Sequence, residues 1–280
     1  MSSNEKFKKL ESLFHEMDRV AVAFSGGVDS TLVLAVARRV LGDGVLAVTA
    51  QSPSLPQREL QSTKIIAQTL GAEHLIIQTA ELTNPQYASN PVNRCYHCKS
   101  ELYDRLQKVI AQRNISFMVN GTNVDDLGDH RPGLQAAQEA NVRSPLCEAG
   151  FSKQEVREWS RKLNLPTWDK PAMPCLSSRI PYGQPVTLEK LSMIEQAEDF
   201  LISLGYRQLR VRHHGDMARI ELPLEDLAGF FSAGHAAAAQ SRLKQIGFQF
   251  VTVDMQGFRS GSLNEVLNAT DRKGFAHVSF

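Results

Sequence analysis

Val20-Ala21-Val22-Ala23-Phe24-Ser25-Gly26-Gly27-Val28-Asp29-Ser30-Thr31 is the stretch on which the reading of the chain turns. The first four residues form an apolar run suited to a buried strand, and Thr31 to Val40 continues with the apolar spacing of a helix. Two glycines between them let the backbone approach a ligand closely, and the unpaired N–H groups of the first helical turn point at that ligand. Ser25, Ser30 and Thr31 add hydroxyls, and Asp29 is suited to hold a Mg²⁺ that bridges phosphate oxygens. The stretch is expected to cradle phosphate; a serine-rich turn with no ligand is the plainer alternative. It is not the GxxxxGK[ST] loop, because no lysine follows the glycines and the loop is too short to wrap a β/γ-phosphate pair.

Working outward, apolar runs at Val20 to Phe24, Val45 to Ala50, His74 to Gln78 and Phe117 to Asn120 read as buried strands. Helices are expected near Leu32 to Leu41, Gln57 to Leu70 and Ser100 to Gln112. This alternation predicts an α/β fold with a doubly wound parallel sheet, whose ligands sit beyond the carboxyl ends of the strands. A second loop at such an end holds Gly121-Thr122-Asn123, followed by Asp125, Asp126, Asp129, His130 and Arg131. Gly121 and Arg131 are candidates for contact with the nucleotide; an ordinary polar loop is the alternative. Leu165 to Pro185 is a proline- and serine-rich linker. Beyond it, helices at Leu188 to Leu204 and Ala236 to Ile246, with strands at Arg207 to His213, Met217 to Leu222 and Phe248 to Val253, predict a smaller α+β domain. The expected division is 1–183 and 184–280.

The 280 residues, 42% hydrophobic, are enough for two packed cores. With 31 basic residues against 30 acidic ones, no broad basic surface for a long nucleic acid is expected. No apolar run of membrane-spanning length and no signal-peptide core is seen, so a cytoplasmic protein without membrane contact is expected.

Cys95 and Cys98 stand in Cys-Tyr-His-Cys, Cys175 lies in the linker, and Cys147 sits between them. A two-residue spacing lets two thiolates reach one metal, and a third cysteine would leave a fourth position open. Three readings compete: a redox disulfide, a zinc site completed by His97 or water, and an iron–sulfur cluster on three cysteines. Cys147, in Ser-Pro-Leu-Cys-Glu, reads as a small buried hydrophobe.

The glycine loop resembles the SGGxDS signature of the PP-loop ATP pyrophosphatases, which share the adenine nucleotide alpha hydrolase-like fold. The wider chain resembles the LarE family of ATP-dependent sulfur transferases. That resemblance rests on Asp-His-Arg-Pro-Gly-Leu at Asp129 to Leu134, Cys-Leu-Ser-Ser-Arg-Ile-Pro-Tyr-Gly at Cys175 to Gly183, Val-Arg-His-His-Gly-Asp-Met-Ala-Arg-Ile-Glu-Leu at Val211 to Leu222, and Gly-Phe-Arg-Ser-Gly at Gly257 to Gly261. It implies adenylation of a carboxylate of pyridinium-3,5-biscarboxylic acid mononucleotide by ATP and Mg²⁺, then replacement of the adenylate by sulfur, in nickel-pincer cofactor biosynthesis. In one form of the family a cysteine matching Cys175 gives up its own sulfur and becomes dehydroalanine. The added Cys95 and Cys98 instead favour the branch in which three cysteines hold a [4Fe-4S] cluster that carries an extra sulfide. The resemblance further implies a sulfide source, transient contact with other nickel-pincer biosynthesis proteins, and a homo-oligomer, hexameric in the family.

Within that frame Asp29 and Cys175 are the expected catalytic residues, and Ser25, Gly26, Gly27, Asp29, Ser30 and Thr31 hold the nucleotide. Lys99 could neutralise phosphate or a substrate carboxylate, or be a solvated helix lysine. Arg179, Arg210, Arg212 and Glu221 are candidates for holding the mononucleotide, because a guanidinium fork pairs bidentately with carboxylates and phosphates. Arg210 and Arg212 share one strand face by the period of two, and a cross-strand pair to Glu221 or Asp216 is the alternative. A tRNA-thiolating PP-loop enzyme and a nucleotide- or zinc-bound regulator without turnover are the competing functions. The balanced charge weighs against the first, and Asp29 in an intact loop against the second.

Overall fold

The computed structural model describes residues 1–128 and 132–265. They fall into two compact units: Met1–Glu81 with Asn93–Met173, and Leu82–Val92 with the described residues from Pro174 onward.

The first unit is built on a parallel sheet of β1 (Val20–Ala23), β2 (Val45–Gln51), β3 (Glu73–Gln78) and β4 (Phe117–Val119), in the order β3-β2-β1-β4. Alternate strand residues face opposite sides, so each face needs its own apolar cover. Val20, Val22 and Ala47 pack with Phe7, Leu10 and Phe14 of the helix Ser3–His15 and Leu32, Val33 and Val36 of the helix Val28–Leu41. Ala21, Leu46, Val48 and Met118 pack on the other face with Leu102, Tyr103 and Leu106 of the helix Arg94–Arg113. The doubly wound sheet expected from the sequence is present. Its strand order reverses between β1 and β4, and this crevice is where a sheet of this type binds ligands.

Two helices begin earlier than the sequence suggested. The first starts at Val28 rather than beyond Thr31, so Asp29, Ser30 and Thr31 belong to its first turn. These are weak helix formers, but first-turn N–H groups have no intrahelical acceptor to lose. The other starts at Arg94 rather than Ser100, which places Cys95 and Cys98 in its opening turns. Two capped helices without a sequence expectation, Ser3–His15 and Lys153–Lys162, each begin with a Ser-x-x-Glu capping box.

The second unit holds a three-stranded sheet in the order β5-β6-β7, formed by β5 (Arg210–His214), β6 (Met217–Glu221) and β7 (Phe250–Val253). β5 and β6 are antiparallel, and β7 runs parallel to β6. Val211, Ala218 and Ile220 face the helices Leu188–Ser203, Leu224–Ser232 and His235–Ile246 over one apolar core. Arg210, Arg212 and Glu221 point to the opposite face, as the period of two requires.

Candidate active site

The cradle forms where β1 ends. Gly26 has φ +69°, and a Cβ there would stand 2.9 Å from Thr63 Cγ2; both facts demand glycine. Gly27 is the N-cap of the helix Val28–Leu41 and supplies no side-chain cap, so the first-turn N–H groups are available to an anion. The Ser25 and Ser30 hydroxyls lie 3.1 Å apart, and Ser30 Oγ donates to the Gly27 carbonyl. Thr31 is fully buried, and its hydroxyl has no hydrogen-bond partner among the described residues.

Three side chains that the sequence reading did not assign converge on this loop. Lys153, the first residue of the helix Lys153–Lys162, forms an ion pair with the Asp29 carboxylate. Asn123 Nδ2 donates to Asp29 Oδ1 at 3.1 Å. Lys170 Nζ donates to the Gly26 carbonyl at 3.1 Å and pairs with Glu59 at 2.8 Å. The Ser152-Lys153-Gln154-Glu155 capping box was the sequence signal that would have placed Lys153 at a helix start. Its encounter with Asp29 has no local signal. Behind the loop, Thr49 Oγ1 donates to the Phe24 carbonyl at 2.7 Å and lies 2.8 Å from His74 Nε2. Burial, reinforced by Lys64, holds the His74 imidazole below its ordinary pKa.

Gly121 follows β4 and lies against the same loop. A Cβ on it would sit 2.7 Å from Ser30 N and 3.0 Å from Asp29 C, both backbone atoms. Gly121→Ala must therefore displace the first turn of the cradle helix. We expect a cost of about 1–3 kcal/mol in stability from overpacking and weaker ATP binding by about tenfold or more. A lowered melting midpoint and a raised ATP dissociation constant are the checks; unchanged values for both would refute the close approach.

Cys95 is exposed and Cys98 partly exposed. Three residues apart on a helix, they share one face near its N-terminus, where the dipole favours negative charge. Lys99 is exposed, and its stem runs close to Gly133 of the helix Pro132–Glu139. Cys147 is half-buried, and burial, with Asp126 and Glu148 nearby, pushes its thiol up to about 11. Cys175 belongs to the second unit and precedes the short 3₁₀ turn Leu176–Arg179. Among the described residues no group of three or more His, Cys, Asp or Glu side chains stands ready to hold a metal ion. Arg131 lies outside the described residues.

The arginines proposed for the substrate are buried among partners of their own unit. Arg179 meets Glu198 through two bonds of 2.9 Å. Arg212 Nη2 pairs with Glu221 Oε2 at 2.8 Å, the cross-strand pair considered as the alternative, and Arg212 Nη1 donates to the Ser178 carbonyl at 2.9 Å. Arg210 lies over the Phe258 ring at 5.1 Å, and burial, with Arg179 nearby, lowers its pKa to about 10.

The asparagine synthase family matches residues 13–96, the part of the chain that carries β1 and the cradle. An uncharacterized protein of Synechocystis sp. is 49% identical over 262 residues, 94% of this chain and 98% of that protein. The pyridinium-3,5-bisthiocarboxylic acid mononucleotide synthase of Lactiplantibacillus plantarum is 38% identical over 268 residues, covering 95% of this chain and 96% of the synthase. The chain belongs to the LarE family. It is thus an ATP-dependent sulfur transferase, and the cradle is the PP-loop of a LarE protein. An uncharacterized protein of Methanocaldococcus jannaschii is 28% identical over 256 residues, 91% of this chain and 94% of that protein. No helix among the described residues is long and apolar enough to cross a membrane.

Proposed function

We propose that the chain adenylates a carboxylate of pyridinium-3,5-biscarboxylic acid mononucleotide and converts it to a thiocarboxylate, as a cytoplasmic homo-oligomer in nickel-pincer cofactor biosynthesis. The end-to-end identity with the Lactiplantibacillus plantarum synthase carries this reading. The carboxylate oxygen attacks the α-phosphorus of ATP, the α–β bond breaks, and pyrophosphate leaves. A sulfide then attacks the acyl carbon, AMP leaves with the bonding pair, and a thiocarboxylate and one proton remain.

The cradle fits the first step. Its first-turn N–H groups and the Ser25 and Ser30 hydroxyls bind the pyrophosphate end of ATP, and charge developing on the leaving group is stabilised there without proton transfer. Asp29 holds Mg²⁺, and Lys153 brings a fixed positive charge to the same carboxylate. Gly121 leaves room for the loop, with Lys99 and Arg131 as further anion contacts.

For sulfur handling, Cys95, Cys98 and Cys175 are proposed as ligands of a [4Fe-4S] cluster. The donors fit in kind, being soft thiolates, two of them one helical turn apart on a shared face. When bound, the cluster supplies sulfide to the activated carboxylate. The test is product analysis with the authentic mononucleotide, ATP, Mg²⁺ and sulfide under anaerobic conditions. AMP, pyrophosphate and a product heavier by the difference between sulfur and oxygen are expected; ADP and inorganic phosphate would refute the reading.

A further inference from the structure

Cys175 sits on a turn in which the Pro174 and Cys175 carbonyls accept from one buried guanidinium, the latter also from the Ser178 backbone N–H. The Arg179 guanidinium, at 0% exposure, donates from Nη1 to the Pro174 carbonyl at 2.5 Å and to the Cys175 carbonyl at 3.0 Å. Its Nε and Nη2 meet the two oxygens of Glu198, which is 1% exposed. Glu198 Oε1 in turn accepts from the Val211 backbone N–H at 3.1 Å, tying the turn to β5. Burial raises the Glu198 carboxyl, but Arg179 and then Arg210 outweigh it, and the group is held below its ordinary pKa. Further along, Ser177 Oγ lies 2.7 Å from Tyr87 Oη, and Asn90 Nδ2 donates to the Pro181 carbonyl at 2.8 Å.

The turn's own backbone bonds run from Ser178 N–H to the Cys175 carbonyl at 3.0 Å and from Ile180 N–H to the Ser177 carbonyl at 3.2 Å, so the Pro174 carbonyl must be satisfied by water or by a side chain. Here a buried ion pair does so. Desolvating two charges is costly, and an apolar pair of similar volume would serve cohesion as well. What the pair adds is direction, because a planar guanidinium locked by two parallel bonds fixes the angle at which its remaining nitrogen meets the backbone.

We infer that Arg179 and Glu198 are positioning residues that aim Cys175 for the sulfur-transfer step, and that Arg179 is not a ligand of the mononucleotide. The inference rests on the proposed assignment of sulfur chemistry to Cys175.

The test uses Arg179→Lys, which keeps the charge but loses the fork, and Glu198→Gln, which keeps the shape but loses the charge, both in the full chain. Mononucleotide-dependent ATP–pyrophosphate exchange reads adenylation alone, steady-state kinetics read thiocarboxylate formation, and peptide mass spectrometry reads iodoacetamide alkylation of each cysteine in aerobically purified protein. We expect exchange and the KM for mononucleotide to be nearly unchanged, while kcat for thiocarboxylate falls by about tenfold to a hundredfold from misalignment. Cys175 should alkylate several-fold faster and Cys147 at the wild-type rate. A raised KM with kcat retained overturns the inference, since Arg179 would then bind substrate. So does a joint loss of exchange and transfer with a lowered melting midpoint in both variants, which would make the pair a fold element only. If Cys175→Ala still transfers sulfur, the assignment of Cys175 fails, and the alkylation rates alone then decide whether the pair fixes the turn.

Discussion

Asp29→Ala is expected to lower AMP and pyrophosphate formation by about 100- to 1,000-fold, the usual loss when a preorganised electrostatic group is removed. The chain should still fold. The Asp29–Lys153 pair is partly exposed, with side chains 21% and 38% accessible, and pairs of this kind contribute about 1 kcal/mol or less. Lys153→Ala should lower the same step by about tenfold to a hundredfold, the range for one charge-assisted hydrogen bond. Circular dichroism and a melting curve check the fold, and pyrophosphate release checks the chemistry. If Asp29→Ala turns over at the wild-type rate, the cradle is not where ATP is cleaved. If only Lys153→Ala is silent, the lysine serves the loop's shape and not the reaction.

The second large effect separates two ways of supplying sulfur. With a cluster on three cysteines, Cys95→Ala, Cys98→Ala and Cys175→Ala should each reduce bound iron and acid-labile sulfide to a small fraction of the wild-type content in anaerobically purified protein, because two thiolates leave a four-iron cube poorly fixed. Cys147→Ala should keep the cluster; its half-buried, high-pKa thiol is poorly suited to ligation. After turnover Cys175 should be intact by mass spectrometry, and added sulfide should sustain repeated cycles. A Cys175 lighter by one H₂S, with Cys95 and Cys98 dispensable, would instead make the chain a donor that works once.

The two experiments bear on residues that differ in how visible they were. The cradle was legible because its signal is contiguous: a β-run, two glycines and a helix with one apolar face follow each other within Val20 to Val40. The order β3-β2-β1-β4 follows the expected alternation of strands and helices, and the chirality of crossover connections leaves few other arrangements. Helix starts were less visible. Val28, Asp29, Cys95 and Tyr96 are weak helix formers, and the pattern of apolar residues emerges only one or two turns later, where burial decides the conformation.

What the sequence by itself determined is therefore the local chemistry: a phosphate cradle at a strand end, a cysteine pair with two residues between, and arginines sharing a strand face. Tertiary structure alone decided which groups those residues meet. Lys153 and Asn123 reach Asp29 from 124 and 94 positions away, and Gly121 matters only because β4 lies beside β1. Arg179 and Arg212 carry the residue type of an anion site, yet their guanidinium groups face Glu198 and Glu221 inside one unit. A side chain's type fixes what it can bind, whereas its partner is set by long-range packing, in which a buried charge must find an opposite charge wherever the fold brings one within reach.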